Sequence, residues 1–113
     1  MRPVSGEIVL PKDAPRRKAG LVLVQVQDAS VQDAPAEVLA ETRLENVALE
    51  PEGRVPFRLE VPEAAPGRRL LVRVHVDLAG TGRVSSGDLL TTAAHTVPAS
   101  GPVEVLAVAV EAI

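Results

Sequence analysis

Ten prolines and eight glycines are spread along the whole of this 113-residue chain, and they limit the length of every regular segment between them. A proline in a helix interior deletes a hydrogen bond and clashes with the turn before it, so a bundle of long helices is excluded. The stretches between these breakers are short and rich in valine. Valine is stiff at its first side-chain torsion and packs well on a pleated surface. Short, alternating, valine-rich runs bounded by turn residues describe strands.

Val4, Gly6, Ile8 and Leu10 alternate with Ser5 and Glu7 in a first strand that stops at Pro11. After a loop from Lys12 to Gly20, the run Leu21 to Gln27 puts Val22, Val24 and Val26 on one face. Leu21, Leu23, Gln25 and Gln27 take the other. In Arg54 to Val61, Val55, Phe57, Leu59 and Val61 alternate with Arg54, Arg58 and Glu60. Pro56 lies inside that run and cannot donate to a ladder, which predicts an edge strand or a bulge there. The clearest run is Leu70 to Leu78. Leu70, Val72, Val74, Val76 and Leu78 line one side, and Leu71, Arg73, His75 and Asp77 line the other. Leu89 to Thr96 and Val103 to Val110 are the last two strands, with Pro98, Gly101 and Pro102 between them. Ala36 to Glu50 fits two patterns. Ala36, Ala40, Leu44 and Val47 make a helical stripe, whereas Val38, Ala40, Thr42 and Leu44 against Glu37, Glu41, Arg43 and Glu45 make a strand. In a chain so dominated by sheet, strand is the expectation.

About seven strands, each with one apolar face, predict an all-β fold: a single-domain, two-layer antiparallel β-sandwich over residues 1–113, of prealbumin- or immunoglobulin-like type. Neither layer is stable alone in water, so their apolar faces must meet. Apolar residues make up 46% of the chain, but Phe57 is its single aromatic. The core is therefore expected to be built from small aliphatic side chains.

The same inventory removes several functional classes. Without cysteine there is no disulfide framework, no thiolate zinc site and no thiol nucleophile. No apolar run approaches the ~18 residues of a membrane-spanning helix. The net charge of −3 and the want of stacking aromatics argue against nucleic acid. Lys12, Arg16, Arg17 and Lys18 form a local basic cluster, with Arg68 and Arg69 elsewhere; the cluster is expected to keep an exposed loop soluble or to steer an acidic partner. None of the serines Ser5, Ser30, Ser85, Ser86 and Ser100 sits in a nucleophile elbow, and neither histidine has an evident orienting acid. Gly80, Gly82 and Gly87 form no phosphate loop and are expected to permit positive φ in turns.

Two features come nearer to chemistry. His75 and His95 lie on neighbouring predicted strands, but a hairpin through residues 79–86 sets His75 opposite a residue near Leu90 rather than His95. An exposed strand histidine is expected. Asp77 to Asp88 is a twelve-residue stretch bounded by carboxylates, with Gly82 at its sixth position, as a calcium loop would have. Ala79 stands where such a loop needs a ligand and Arg83 adds a positive charge, so a solvated turn is expected instead. The carboxylates are expected on polar faces, scattered, with no desolvated pair. No catalytic, cofactor-binding or metal-binding residue is assigned, and no cofactor.

Several stretches together carry a resemblance. They are Val4-Ser5-Gly6-Glu7-Ile8, Val24 to Ser30 with Asp33-Ala34-Pro35, Val55-Pro56-Phe57, Val72 to Asp77, and Gly87 to Thr92. In this order and at these spacings they resemble the YbaY-like lipoproteins, the family that includes YscW-type lipoprotein chaperones (pilotins) of type III secretion. The resemblance runs from about Val4 to Val110. It implies a prealbumin-like β-sandwich without catalytic residues and, in the pilotin branch, binding to a segment of an outer-membrane secretin. Signal peptide and lipid-anchor cysteine, which family lipoproteins carry, are not in this sequence, so it reads either as a soluble variant or as a chain from which the signal was removed. As written, that places it in the cytoplasm, whereas the resemblance points to the envelope.

The expected function is a non-enzymatic binding or chaperone-like module that accepts a peptide segment at a sheet edge, with Arg54 to Val61 as the candidate edge. Two alternatives stay open. One is a small-ligand or metal-binding domain around His75, Asp77, Asp88 and His95. The other is a self-associating structural domain whose edges pair in a homodimer.

Overall fold

A computed structural model describes residues 1–113, the side chain of Val105 excepted. The alternating runs become strands: β1 (Arg2–Val9), β2 (Lys18–Asp28), β3 (Glu37–Ala48), β4 (Arg54–Val61), β5 (Leu70–Asp77), β6 (Leu89–Thr91), β7 (His95–Val97) and β8 (Val103–Ala112). Among the described residues no helix is long and apolar enough to cross a membrane. The ambiguous segment is strand. Its charged residues Glu41, Arg43 and Glu45 pair with Gln25, Leu23 and Leu21 of β2, which keeps Ala40, Thr42 and Leu44 beside Val26, Val24 and Val22. Pairing with β2 overrides the local helix propensity of the segment.

Side chains alternate across the sheet as the sequence required. In β4 every second residue is buried, Val55, Phe57, Leu59 and Val61. Val22, Val24, Val26, Val72, Val74 and Val76 are at most 2% exposed, so Val74 lies on the inward face. These side chains join Val4, Ile8, Leu89 and Val108 in one apolar core.

The strands follow the order β3-β2-β5-β6-β8-β1-β4, with β7 pairing β5 off this path. The all-β fold is as expected, and its two layers are halves of one continuous sheet. One half is β3-β2-β5-β6 and the other β8-β1-β4. Strand β8 belongs to both, pairing β6 near Val110 and β1 along Val103–Ala109. The shortest dimension of the molecule, 21 Å, suits two layers about 10 Å apart with their side chains.

Two expectations need correcting. The sheet is not wholly antiparallel, because β1 and β8 run parallel. Parallel strands need a long connection, and here the entire chain between the first and last strands supplies it, leaving no local sequence signal. Leu89 to Thr96 is also two strands, not one. β5 pairs β6 at His75 and Val76 and β7 at Leu70 to Val72. Between them the chain steps away, and the Val74 amide turns to the Thr91 hydroxyl at 3.5 Å.

Gly6 has no freedom to change. A Cβ there would collide with the Leu106 carbonyl of the parallel neighbour, where the β1–β8 register shifts.

Candidate functional site

Alternation alone would place His75 and Asp77 on the outer face of β5, in water. The turn-rich chain after β5 prevents that by folding back over the strand end. Asp77 is fully buried, and its carboxylate accepts the amides of Gly80 at 3.0 Å and Gly82 at 2.7 Å. Both glycines have positive φ, 71° and 82°, which the turn requires. Asp88 is 1% exposed and accepts the amides of Leu78 at 3.1 Å and Ser85 at 3.0 Å, together with His75 Nε2 at 2.8 Å. Burial pushes the Asp88 carboxyl up. The hydrogen bonds from His75, Ser85 and Leu78 outweigh that effect and hold it below the usual carboxylate range.

Two expectations fall with this geometry. His75 is not an exposed strand histidine, since its side chain is 13% accessible and has an acid beside it. The carboxylates are not all on polar faces either, because Asp77 and Asp88 form a desolvated pair. For Asp77 a signal lies in the sequence, an aspartate followed by glycines three and five residues on, a pattern suited to side-chain-to-backbone turns; Asp88 has none. The hairpin prediction holds, with His75 opposite Leu90.

His75, Asp77 and Asp88 each offer a ligand atom, all within 4.8 Å of one another. His95 does not join them. It pairs with Val72, three residues further along β5. One imidazole and two carboxylates are a donor set for a divalent ion, but Asp88 Oδ2 already accepts from both His75 and Ser85. As arranged, the carboxylates fasten the residues 78–88 turn to the end of the sheet.

A second staple closes the opposite end of the same half. Asp28 accepts the Ser30 amide at 2.9 Å and the Ser30 hydroxyl, and Arg68 reaches it with Nη2 at 2.6 Å. The Ser30 hydroxyl bond, opposed by burial and aided by Arg68, holds Asp28 below the usual carboxylate range. Arg17, in turn, donates to the Leu78 carbonyl at 3.2 Å. Lys18 and Asp28 are the two ends of β2, roughly 33 Å apart at strand rise, so the basic residues make two separate groups and no continuous anionic-ligand surface. Sequence reasoning missed Arg2, which is 2% exposed and donates to the Gly101 carbonyl at 3.0 Å near Glu63.

The long open edges of the fold are its two terminal strands, besides the three-residue β7, which pairs β5 on one side. β4, the edge expected from Pro56, ends one side of the sheet, and β3 ends the other. No ladder joins them, although the link Leu49–Gly53 keeps their adjoining ends together. Their inner faces differ. Those of β4 are buried, whereas Leu39, Ala40, Leu44 and Val47 of β3 are only partly covered.

Residues 1–101 match the family model described as type III secretion system lipoprotein chaperone (YscW). The fold is similar to that of an alternative pilotin from the type II secretion system of Vibrio cholerae, with a TM-score of 0.68 and 22% identity over 97% of this chain and 96% of that one. No curated protein matches the sequence.

Proposed function

This chain belongs to the family of type III secretion system lipoprotein chaperones, and from that premise we propose that it binds an extended segment of an outer-membrane secretin along a free edge of its sheet, by association and not by catalysis. Its role as a family member is chaperone-like protein interaction. One observation carries the edge reading. The sheet ends in two strands, β3 and β4, with no ladder between them. Such an edge offers a row of backbone donors and acceptors, and an added strand satisfies them while its side chains find the two faces.

β4 is the edge that the sequence nominates. Pro56 blunts part of it, and a second proline in place of Arg58 removes another donor. If β4 is the acceptor, Arg58→Pro abolishes capture of the secretin by a protein that still unfolds cooperatively. The direct experiment mixes the purified protein with the purified secretin and follows amide hydrogen exchange. Slowed exchange along β3 or β4 in the complex is the expected result. A complex in which neither edge slows, or no complex at all, overturns the reading.

A further inference from the structure

We infer that the acceptor edge is β3, and that it takes an extended segment carrying two basic residues four positions apart with apolar residues between them. This rests on the strand-addition reading above and specifies the edge and the partner chemistry.

Three differences between the terminal strands point to β3. The first is coverage. Val55, Phe57, Leu59 and Val61 of β4 are no more than 6% exposed, so an incoming strand has little apolar surface left to cover there. On β3 none of the twelve residues is fully buried, and Ala40, Thr42 and Leu44 on the core side are only partly covered. The second is backbone. β3 contains no proline, and between the bulge at Leu39 and the positive φ of Asn46 (51°) it runs straight from Ala40 to Glu45. The third is charge. The outer groups of β4 are neutralised in place, Arg54 by Glu7 at 3.1 Å and Arg58 by Glu60 at 3.3 Å. On β3, Glu41 is held by Arg43 at 3.2 Å and Gln25 at 2.8 Å. Among the described residues Glu37 and Glu45 have no cationic partner, so the single Arg43 leaves the outer row Glu37, Glu41, Arg43 and Glu45 net acidic.

The straight stretch therefore presents Ala40, Thr42 and Leu44 on its inner face and Glu41, Arg43 and Glu45 on its outer face. A strand laid beside it meets acid, base, acid at alternate positions. Opposite-charge pairs across adjacent strands are favourable and like charges are not, so a complementary segment is basic at both ends and neutral or acidic between, with apolar residues turned inward. A second copy of this chain is a poor occupant, because it would bring three glutamates against one arginine to the same edge.

The probes are two labelled peptides, Val-Lys-Val-Thr-Val-Lys-Val and Val-Glu-Val-Thr-Val-Glu-Val, titrated against the intact protein by fluorescence anisotropy. The lysine peptide is expected to bind about tenfold tighter, the size of two favourable cross-strand pairs against two unfavourable ones. Glu45→Lys should erase that preference, and Leu44→Lys, a charge turned onto the partly covered inner face, should abolish binding. Arg58→Pro on β4 should change neither. Hydrogen exchange on the unaltered protein removes any dependence on how the variants fold: binding should slow the amides of residues 40–45 and leave β4 unaffected. Protection on β4 in place of β3, or loss of binding in Arg58→Pro alone, overturns the choice of edge and leaves strand addition standing. Equal affinity for the two peptides overturns the charge argument. Binding without protection at either edge overturns strand addition itself. A dimer that already protects β3 in the absence of peptide would show that a second copy fills the edge, and would overturn the inference.

Discussion

The two ends of the sheet are finished by different physics. At the β4 end, four apolar side chains are sealed against the core, and the strand's charges pair with near neighbours. At the β3 end the inward residues are only partly buried, and polar staples lie at the ends of the neighbouring strands. Asp28 holds Ser30 and Arg68 at one end of β2, and Asp77 and Asp88 hold the residues 78–88 turn at the other end of β5. The comparison teaches that an open edge need not be a loose one. Buried carboxylates that accept backbone amides can fix a half-sheet whose last strand is only partly covered.

The largest test of that contrast is Phe57→Ala. The side chain is 5% exposed and is the chain's only aromatic, so its loss from the sealed end should cost about 3–5 kcal/mol in urea denaturation. A cost below ~1 kcal/mol would mean that β4 is no better sealed than β3.

Next comes Asp88→Asn. One of the groups that Asp88 satisfies is left without its acceptor, which should cost about 1–3 kcal/mol. Its pH signature has a definite sign. The folded carboxyl lies below its unfolded value, so its stabilisation is complete above the unfolded carboxylate range near pH 4. That stabilisation disappears as the pH falls through the lowered folded value. Urea midpoints measured from pH 7 down to pH 2 should fall less steeply in Asp88→Asn than in the unaltered protein. Parallel curves would remove Asp88 from the set of staples.

Leu44→Ala should cost about 1–2 kcal/mol, less than a core truncation, because that side chain is only partly buried against the core. A loss as large as that of Phe57→Ala would erase the difference between the edges. The smallest expected effect is that of divalent ions. With the Asp88 and Asp77 carboxylates taken by amides and His75, zinc, calcium or manganese should leave the thermal midpoint unchanged. A site filled at a hundred times its dissociation constant would instead stabilise by ~2.7 kcal/mol, and an upward shift of that size would make the cluster a metal centre.

Much of the fold was legible in the sequence because strand alternation has a period of two and needs no knowledge of the partner. Val22, Val24 and Val26, the β4 series and the β5 series were all placed on their buried face by that period alone, and Pro56 marked β4 as an edge. The family resemblance, carried by the order of five short stretches, agrees with the match over residues 1–101. The candidate site was less legible. Asp77 obeys the outward parity of β5 and is buried all the same, since what covers it is a turn beyond the strand. His75 acquired its acid from thirteen residues away for the same reason.

What the sequence determined by itself is local: which segments are strands, which face of each is apolar, and where breakers end them. Steric preference and period act over a few residues and are written there. Only the tertiary structure decided that β1 and β8 run parallel, that Leu89 to Thr96 divides between two partners, that two aspartates enter the interior, and that β3 is the less covered edge. Each of these depends on which surface lies across from a residue, and that is settled when distant segments compete for the same apolar faces and the same backbone hydrogen bonds.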